Sequence, residues 1–343
     1  MIHSLLATVL AALLALPAWS SAAAQDAQPS KPASQGPSKG EQTVRLTYEL
    51  PVDALMRSLK NKPDQDLEQL LAQAVALLKQ RLGPSAEVSR HAATGFQVVL
   101  PARSSHDTRR LIENVHAMEM RMLAYGDYAR DGVTFNLEKE SGRLSRWLAE
   151  QDLEQVRAKP DLMMDFQPMS PHLRWSLHRI EADGGRWGTR YGQRTTGKAP
   201  IAVVPLFTEE EFQRGPAAAG APPHLLECVA INLHEQHFHQ GDLKLSACTL
   251  GIGMSGGLAV NYELKRERKE AYSEFSFANR GRMCAILLQG QIASAPIFRG
   301  RIAGRGVIEG NFTQQQAERL VKTLRSGHLP AAPKLLQREV LPK

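Results

Sequence analysis

From residue 44 onward the chain alternates between two hydrophobic periods. Val44, Leu46, Tyr48 and Leu50 are separated by polar residues, the two-residue repeat of a half-buried strand. Leu67, Leu70, Leu71, Ala74, Val75, Leu78 and Leu82 then recur on one face of a helix. Asp66 and Gln69 have the spacing of a capping box at its start, and Gly83-Pro84 is its stop. Ala86 to Ser89 and Phe96 to Leu100 predict two strands about the turn residues Thr94-Gly95, with Pro101 ending the second. A second helix is predicted from about Ser105 to His116, turning Leu111, Ile112 and Val115 inward, and Met118, Met120 and Met122 alternate as a fourth strand.

That order over residues 43–125, βαββαβ, is the ferredoxin-like way to bury these faces, two helices against a four-stranded antiparallel sheet. Residues 126–223 give no such rhythm, with Gly184-Gly185, scattered Trp and Arg, and a loop-like Gly215 to Pro223, and they read as an insertion or connector. Order returns over 224–331. Leu258, Val260, Tyr262 and Leu264 alternate as a strand, and Lys265 to Asn279 predicts a helix with Ala271, Tyr272, Phe275 and Ala278 inward. Met283 to Leu288 is an apolar run suited to a buried strand, turned by Gln289-Gly290, and Val307-Ile308 predicts another short strand. Thr313 and Gln316 form a second capping box, opening a helix with Ala317, Leu320, Val321 and Leu324 on one face and closing at Gly327. The fold class expected is α+β, with 332–343 left as a C-terminal tail.

The N-terminus breaks the pattern. Leu5 to Leu16 is unbroken apolar or small, and Pro17 and the small residues Ser20 to Ala24 follow, so 1–24 reads as a signal peptide. As an anchor its twelve residues would span roughly 18 Å, short of a hydrocarbon core of roughly 30 Å. Residues 25–42 are rich in Pro, Ser, Gln, Lys and Gly and read as a flexible tether. Hydrophobic residues at 43% and charged ones at 22% suit a chain that folds in water. A net charge of +7 would draw it to anionic surfaces, and behind a signal peptide this means an anionic membrane face, wall polymer or acidic chain and excludes nucleic acid. Cys228, Cys248 and Cys284 are too few and too widely spaced for a disulfide framework; they read as small buried hydrophobes, with at most one pair able to form.

Longer motifs add a resemblance. Gly281 to Pro296, ending Ser-Ala-Pro after an apolar strand and a glycine turn, resembles the head subdomain in the periplasmic region of the protein-export subunit SecD. Ile302, Ile308 to Thr313, Ala317, Leu320 and the ending Leu324 to Pro330 keep that family's order, and Gly241-Asp242-Leu243, Ser246-Ala247 and Gly257 to Leu264 are similar to its head entry. Ala74, Arg81 to Gly83, Val88, Gly95, Val98 to Pro101, Ile112 and Met118 to Met122 look like its first part. The glycines supply turn conformations and Pro296 ends a ladder, so these are fold markers and carry no chemistry. Two departures stand out: Gln289 occupies the turn position where the family has an acid, and the membrane helices that carry proton flow in SecD have no counterpart before Lys343. A chain with no proton path of its own is therefore expected.

Three constellations could carry chemistry. Gly253-Met254-Ser255-Gly256-Gly257 spells the string of a nucleophile elbow, but a strand follows it where a helix is required, so the glycines read as a turn. His234, Glu235, His237 and His239, with Asp242 nearby, could offer a zinc or copper ion nitrogen and oxygen ligands; the spacing is not that of metalloproteases, and a surface His-rich loop is the plainer reading. Arg174, Trp175, Arg186 and Trp187 read either as a stacking surface for sugar or peptide or as the insertion's own core, the second being favoured. No residue is assigned a catalytic, cofactor-binding or metal-ligating role, and no cofactor is expected. What the resemblance implies is a non-enzymatic periplasmic or envelope protein binding unfolded exported polypeptides or a Sec translocon component. The rival is a structural protein of membrane or wall that keeps the fold without the export role.

Overall fold

The computed structural model describes residues 42–342 except 61–63, 103–107, 159, 184, 189, 192–199, 254–255 and 310–311. All of these lie within the second of the chain's two units, Pro37–Lys343. The expected signal peptide, and all of the expected tether but residue 42, fall outside the described residues.

The first sheet is antiparallel and four-stranded, in the order Lys334–Leu341, Thr43–Glu49, Gly95–Pro101, Glu87–His91. Val44, Leu46, Tyr48, Phe96, Val98 and Leu100 form its buried face. Against them lies the helix Leu67–Leu82, which buries Leu70, Leu71, Ala74, Leu77 and Leu78. Its capping box is formed, with Gln69 N donating to Asp66 Oδ1 at 2.7 Å and Asp66 N to Gln69 Oε1 at 3.3 Å. Gly83 ends it at φ +73°, a conformation that costs a side chain with a Cβ dearly. A further helix, Val52–Lys60, had no place in the expected order. Of the expected 105–116 helix, Arg109–Glu113 is helical.

Two expectations change here. The strand Met118–Met122 does not complete this sheet but pairs in the second one, between Phe238–His239 and Cys284–Leu288. The physical reason is burial on both faces: Met118, Met120 and Met122 are covered, and so is Glu119 between them, which suits a strand interior to a sheet. The vacant edge is taken by Lys334–Leu341, expected as tail, whose half-exposed residues suit an edge position.

The second sheet runs Phe238–His239, Met118–Met122, Cys284–Leu288, Gln291–Ser294, Leu173–Asp183, His224–Asn232, Val203–Pro205, with Arg186–Trp187 turned back on Leu173–Asp183. Residues 126–223 are thus part of the same sheet as the expected head. They carry their own helical layer, Leu137–Ala149 and Leu153–Ala158, whose Leu144, Leu148 and Val156 pack with Phe166, Trp175 and Cys228. Every junction in the sheet is antiparallel except one: Gln291–Ser294 meets Leu173–Asp183 in parallel, at the single pair Ile292 and His178.

A third sheet, Thr249–Ile252, Leu258–Glu263 and Arg305–Glu309, shares a core with the methionine strand and the helices Arg266–Ala278 and Gln314–Arg325. Tyr272 and Phe275 point inward as expected, but Ala278 is exposed. Ser276 is buried instead, because its hydroxyl accepts from Ile302 N at 2.9 Å and donates to Ser273 O at 2.9 Å. No helix among the described residues is long and apolar enough to cross a membrane.

Candidate functional site: an open strand edge and a histidine stack

The 173–183 strand pairs with 224–232 over nine residues on one side. On the other it meets Ile292 at His178 and the returning Arg186–Trp187 at Ala182 and Asp183, so Leu173 to Ser176 have no strand partner along that edge among the described residues. Backbone direction follows from the partner strand. Ala230 N donates to Ala202 O at 3.1 Å and Ala230 O accepts from Ala124 N at 2.9 Å, so its peptide groups face away from Trp175, which lies opposite. Trp175 is therefore in a non-hydrogen-bonded pair, and its own N–H and C=O project to the open edge. A cleft of about 470 Å³ lies there. Its walls are the 163–171 segment, with Met163, Phe166 and Pro168, and across from it Asn114, Gly290 and Gln291.

The lining draws on both faces of the strand: Leu173, Trp175 and Leu177 from one, Arg174 and Ser176 from the other. The cleft is thus centred on the strand's edge. Three donors on this stretch, Trp175 Nε1, Ser176 Oγ and Arg174 Nε, are buried without a hydrogen-bond partner in the protein. Such groups are rare, and each costs about 1–3 kcal/mol when unpaired. Arg174 is held on its other arm by Glu119, which accepts from Arg174 Nη2 at 3.0 Å and from Arg121 Nε at 2.6 Å. Burial pushes the Glu119 carboxyl up, but the two arginines outweigh it and hold it down at about 2.

The histidine segment divides. His234 hydrogen-bonds the Tyr128 hydroxyl at 2.8 Å, and Glu235 accepts from Arg130 at 2.8 Å. His237 and His239 instead meet two residues the sequence did not single out: His116 stacks on His239 with ring centres 3.9 Å apart and planes within 5°, and His328 lies 5.1 Å from His116. Face-to-face rings do not converge their nitrogens on one point, and among the described residues no group of three or more His, Cys, Asp or Glu is arranged to hold a metal ion. Burial first, then the neighbouring His239 and His328, pushes His116 down to about 3; burial and Arg121 push His237 down to about 4. Asp242 is taken by Arg268 Nε at 2.8 Å and His239 N at 3.0 Å.

Beside this stack Gln240, fully buried, joins three segments. Its carbonyl accepts from Ala117 N at 3.0 Å and its amide donates to Thr323 O and Leu324 O at 2.8 and 2.9 Å. Nothing in the local sequence marks Gln240, because its partners lie 83 to 123 residues away.

The other candidates are quickly placed. Met254 and Ser255 of the nucleophile-elbow string lie outside the described residues. Trp175 and Trp187 are both buried but in separate clusters, Trp187 packing with Phe207 and donating to Glu211 O at 3.2 Å, so the four Arg and Trp residues form no common surface. Cys228, Cys248 and Cys284 are free and buried; burial pushes the Cys284 thiol up to about 12. Gln289 and Gly290, at φ +51° and +80°, make the tight turn between Cys284–Leu288 and Gln291–Ser294, where Gln289 N donates to Ala117 O at 2.8 Å.

Comparison with known proteins adds the relationship. Residues 230–331 match the family described as "SecDF, P1 head subdomain". The chain is SecD-like. It is 41% identical over 97 residues to the protein translocase subunit SecD of Aquifex aeolicus, a match covering 28% of this chain and 19% of that protein. To the SecD of Rickettsia felis it is 31% identical over 252 residues, 70% of this chain and 48% of that protein. The chain thus spans between a fifth and about half of these two relatives. Among solved structures, one titled "Structure and function of a membrane component SecDF that enhances protein export" is similar at 18% identity, covering 85% of this chain and 98% of that chain with a TM-score of 0.38. "Crystal structure of SecDF in Super-membrane-facing form" gives 17%, 91% and 32%, with a TM-score of 0.36.

Proposed function

We propose that this is a non-enzymatic, SecD-like accessory protein of protein export, which works on the periplasmic side of the envelope and holds exported polypeptides while they are still extended. The observation that carries the reading is the match of residues 230–331 to the SecDF P1 head subdomain, in a fold where the strand 173–183, outside the match but in the same sheet, offers an unpartnered edge. An extended chain can add to such an edge by backbone hydrogen bonds alone, which gives affinity without dependence on one sequence. A translocon component is the other partner class this kinship supports. Cell-based crosslinking tests the function: a photoreactive residue in the head is expected to capture exported proteins or Sec components, and capture of neither contradicts the proposal.

A second reading has its own observation. Phe277 stands 49% exposed with Arg301 and Arg280 over its ring at 4.5 and 5.9 Å, an aromatic and cationic spot suited to an anionic lipid face. Sedimentation with anionic liposomes that is lost at high salt and in Phe277→Ser would favour a structural envelope role.

A further inference from the structure

We propose that the cleft beside Trp175 and a second hollow across the 289–290 turn form one continuous groove, and that its ligand is an extended peptide segment carrying carboxylates among apolar side chains. This rests on the reading of the chain as a binder of exported polypeptides and narrows what it binds.

Continuity comes first. The second hollow, of about 390 Å³, is reached past Arg110 and Gln291, both of which also line the first. The first hollow lies where 291–294 parts from 173–183, and the second continues past the short hairpin turn, between Ile292–Ala293 and the 312–323 segment. A groove along the parting of two strands has the course of a strand, and its wall exposes the Trp175 N–H and C=O at the spacing a strand reads.

Charge selects the ligand. The first hollow is lined by Arg110 and Arg174, the second by Arg110, Arg179 and Arg319, and neither has an Asp or Glu in its lining. Arg174 is balanced by Glu119 outside the lining, but Arg179 reaches Glu181 only at 3.9 Å and Arg319 is exposed. A lysine-bearing segment would therefore meet like charge along the groove, whereas a carboxylate-bearing one would meet forked donors. Met163, Phe166 and Leu177 on one side, and Phe312 and Leu320 at the far end, supply the apolar contacts. Paired apolar and acidic positions at a two-residue repeat fit all of these at once.

The test uses the full chain and four labelled eight-residue probes read by fluorescence anisotropy: alternating Val and Glu, alternating Val and Lys, and the Val–Glu peptide N-methylated at alternate amides in each of the two registers. The Val–Glu probe is expected to bind at least about tenfold tighter than the Val–Lys probe, and N-methylation in the register that faces the edge is expected to abolish binding. In the double variant Arg179→Glu, Arg319→Glu, at surface positions that leave the unfolding midpoint unchanged, the preference is expected to reverse. Equal binding of the Glu and Lys probes, tight binding of both N-methylated registers, or an unaltered preference in the double variant would overturn the proposal. So would a concentration-dependent dimer that the Val–Glu probe fails to displace, since a second copy would then fill the groove. The broader reading is tested separately: capture of exported chains in cells without a charge preference in vitro defeats only this inference. A clear preference without any capture in cells defeats the export role and leaves the groove.

Discussion

Glu119 and Arg174 are joined at 3.0 Å although their strands are not neighbours in the sheet. The pair ties the methionine strand to the strand that carries the open edge, and Arg121, two residues on along the methionine strand, completes it. With its side chain 11% exposed, Glu119 depends on the two guanidinium groups for its charge.

Glu119→Gln is expected to cost roughly 3 kcal/mol, by leaving two arginines beside a neutral amide in a buried site. Its folded pKa lies below the unfolded value, so the stabilisation is present above about pH 4.5 and is lost as pH falls toward about 2. Urea unfolding from pH 6 to 2.5 checks this. The variant should show the lower midpoint at pH 6 and a shallower acid decline, and an unchanged midpoint would contradict it.

The histidine stack has the same acid sense by a different route. His116 and His237 have folded pKa values pushed down to about 3 and about 4, so below about pH 6.5 the unfolded chain takes up protons that the folded chain refuses. Stability is expected to be full above pH 7 and to fall from about 6.5 toward 4. Glu119 draws the rings of His116, His237 and His239 toward protonation, joined by Asp242 at the last two, while Arg121 opposes it at those two and Arg268 at His239, and burial decides the sign. His116→Phe keeps the stacked ring and should flatten the decline between pH 7 and 5, whereas a wild-type midpoint constant over that range would be inconsistent with neutral rings.

Ending the chain at Ala331 removes the Lys334–Leu341 strand and bares the Thr43–Glu49 edge with Val44 and Leu46 behind it. A lowered thermal midpoint and aggregation at the column void are expected. A truncated chain as stable and as monodisperse as the parent would show that the strand adds nothing.

Thr313 caps the last helix, accepting from Gln316 N at 3.3 Å while Gln316 Oε1 accepts from Thr313 N at 2.8 Å. Thr313→Ala is expected to cost about 1 kcal/mol and Thr313→Ser far less. Equal losses in chemical denaturation would mean the cap is not used.

The capping boxes at Asp66 and Thr313 were legible in the sequence because a cap is a contact within four residues, whereas the one at Thr208 and Glu211 went unread. The apolar strand Cys284–Leu288 and the helix Leu67–Leu82 were legible for a related reason, since periodicity records which face is buried. Periodicity does not record against what. Met118, Met120 and Met122 announce a strand, but the partner that decides its sheet begins at Cys284, and nothing local distinguishes that partner from Thr43–Glu49. The 173–183 strand was hidden because Arg174 and His178 pair with Glu119 and Glu227, far along the chain, and so look like surface residues in the sequence. The HxH run at 237–239 was visible, but His116 and His328, which turn it into a stack, come from distant segments. The groove is the least legible of all, since it depends on where two strands part.

Hydrogen exchange at single amides of the 173–183 strand tests the open edge most directly. In the free protein the Arg174 and Ser176 amides, turned toward 224–232, should exchange slowly, while the Trp175 and Leu177 amides, turned to the open edge, exchange fast and become protected when the Val–Glu peptide binds. Slow exchange at Trp175 without peptide, or no added protection with it, would mean that the edge is closed and that extended chains are not held there.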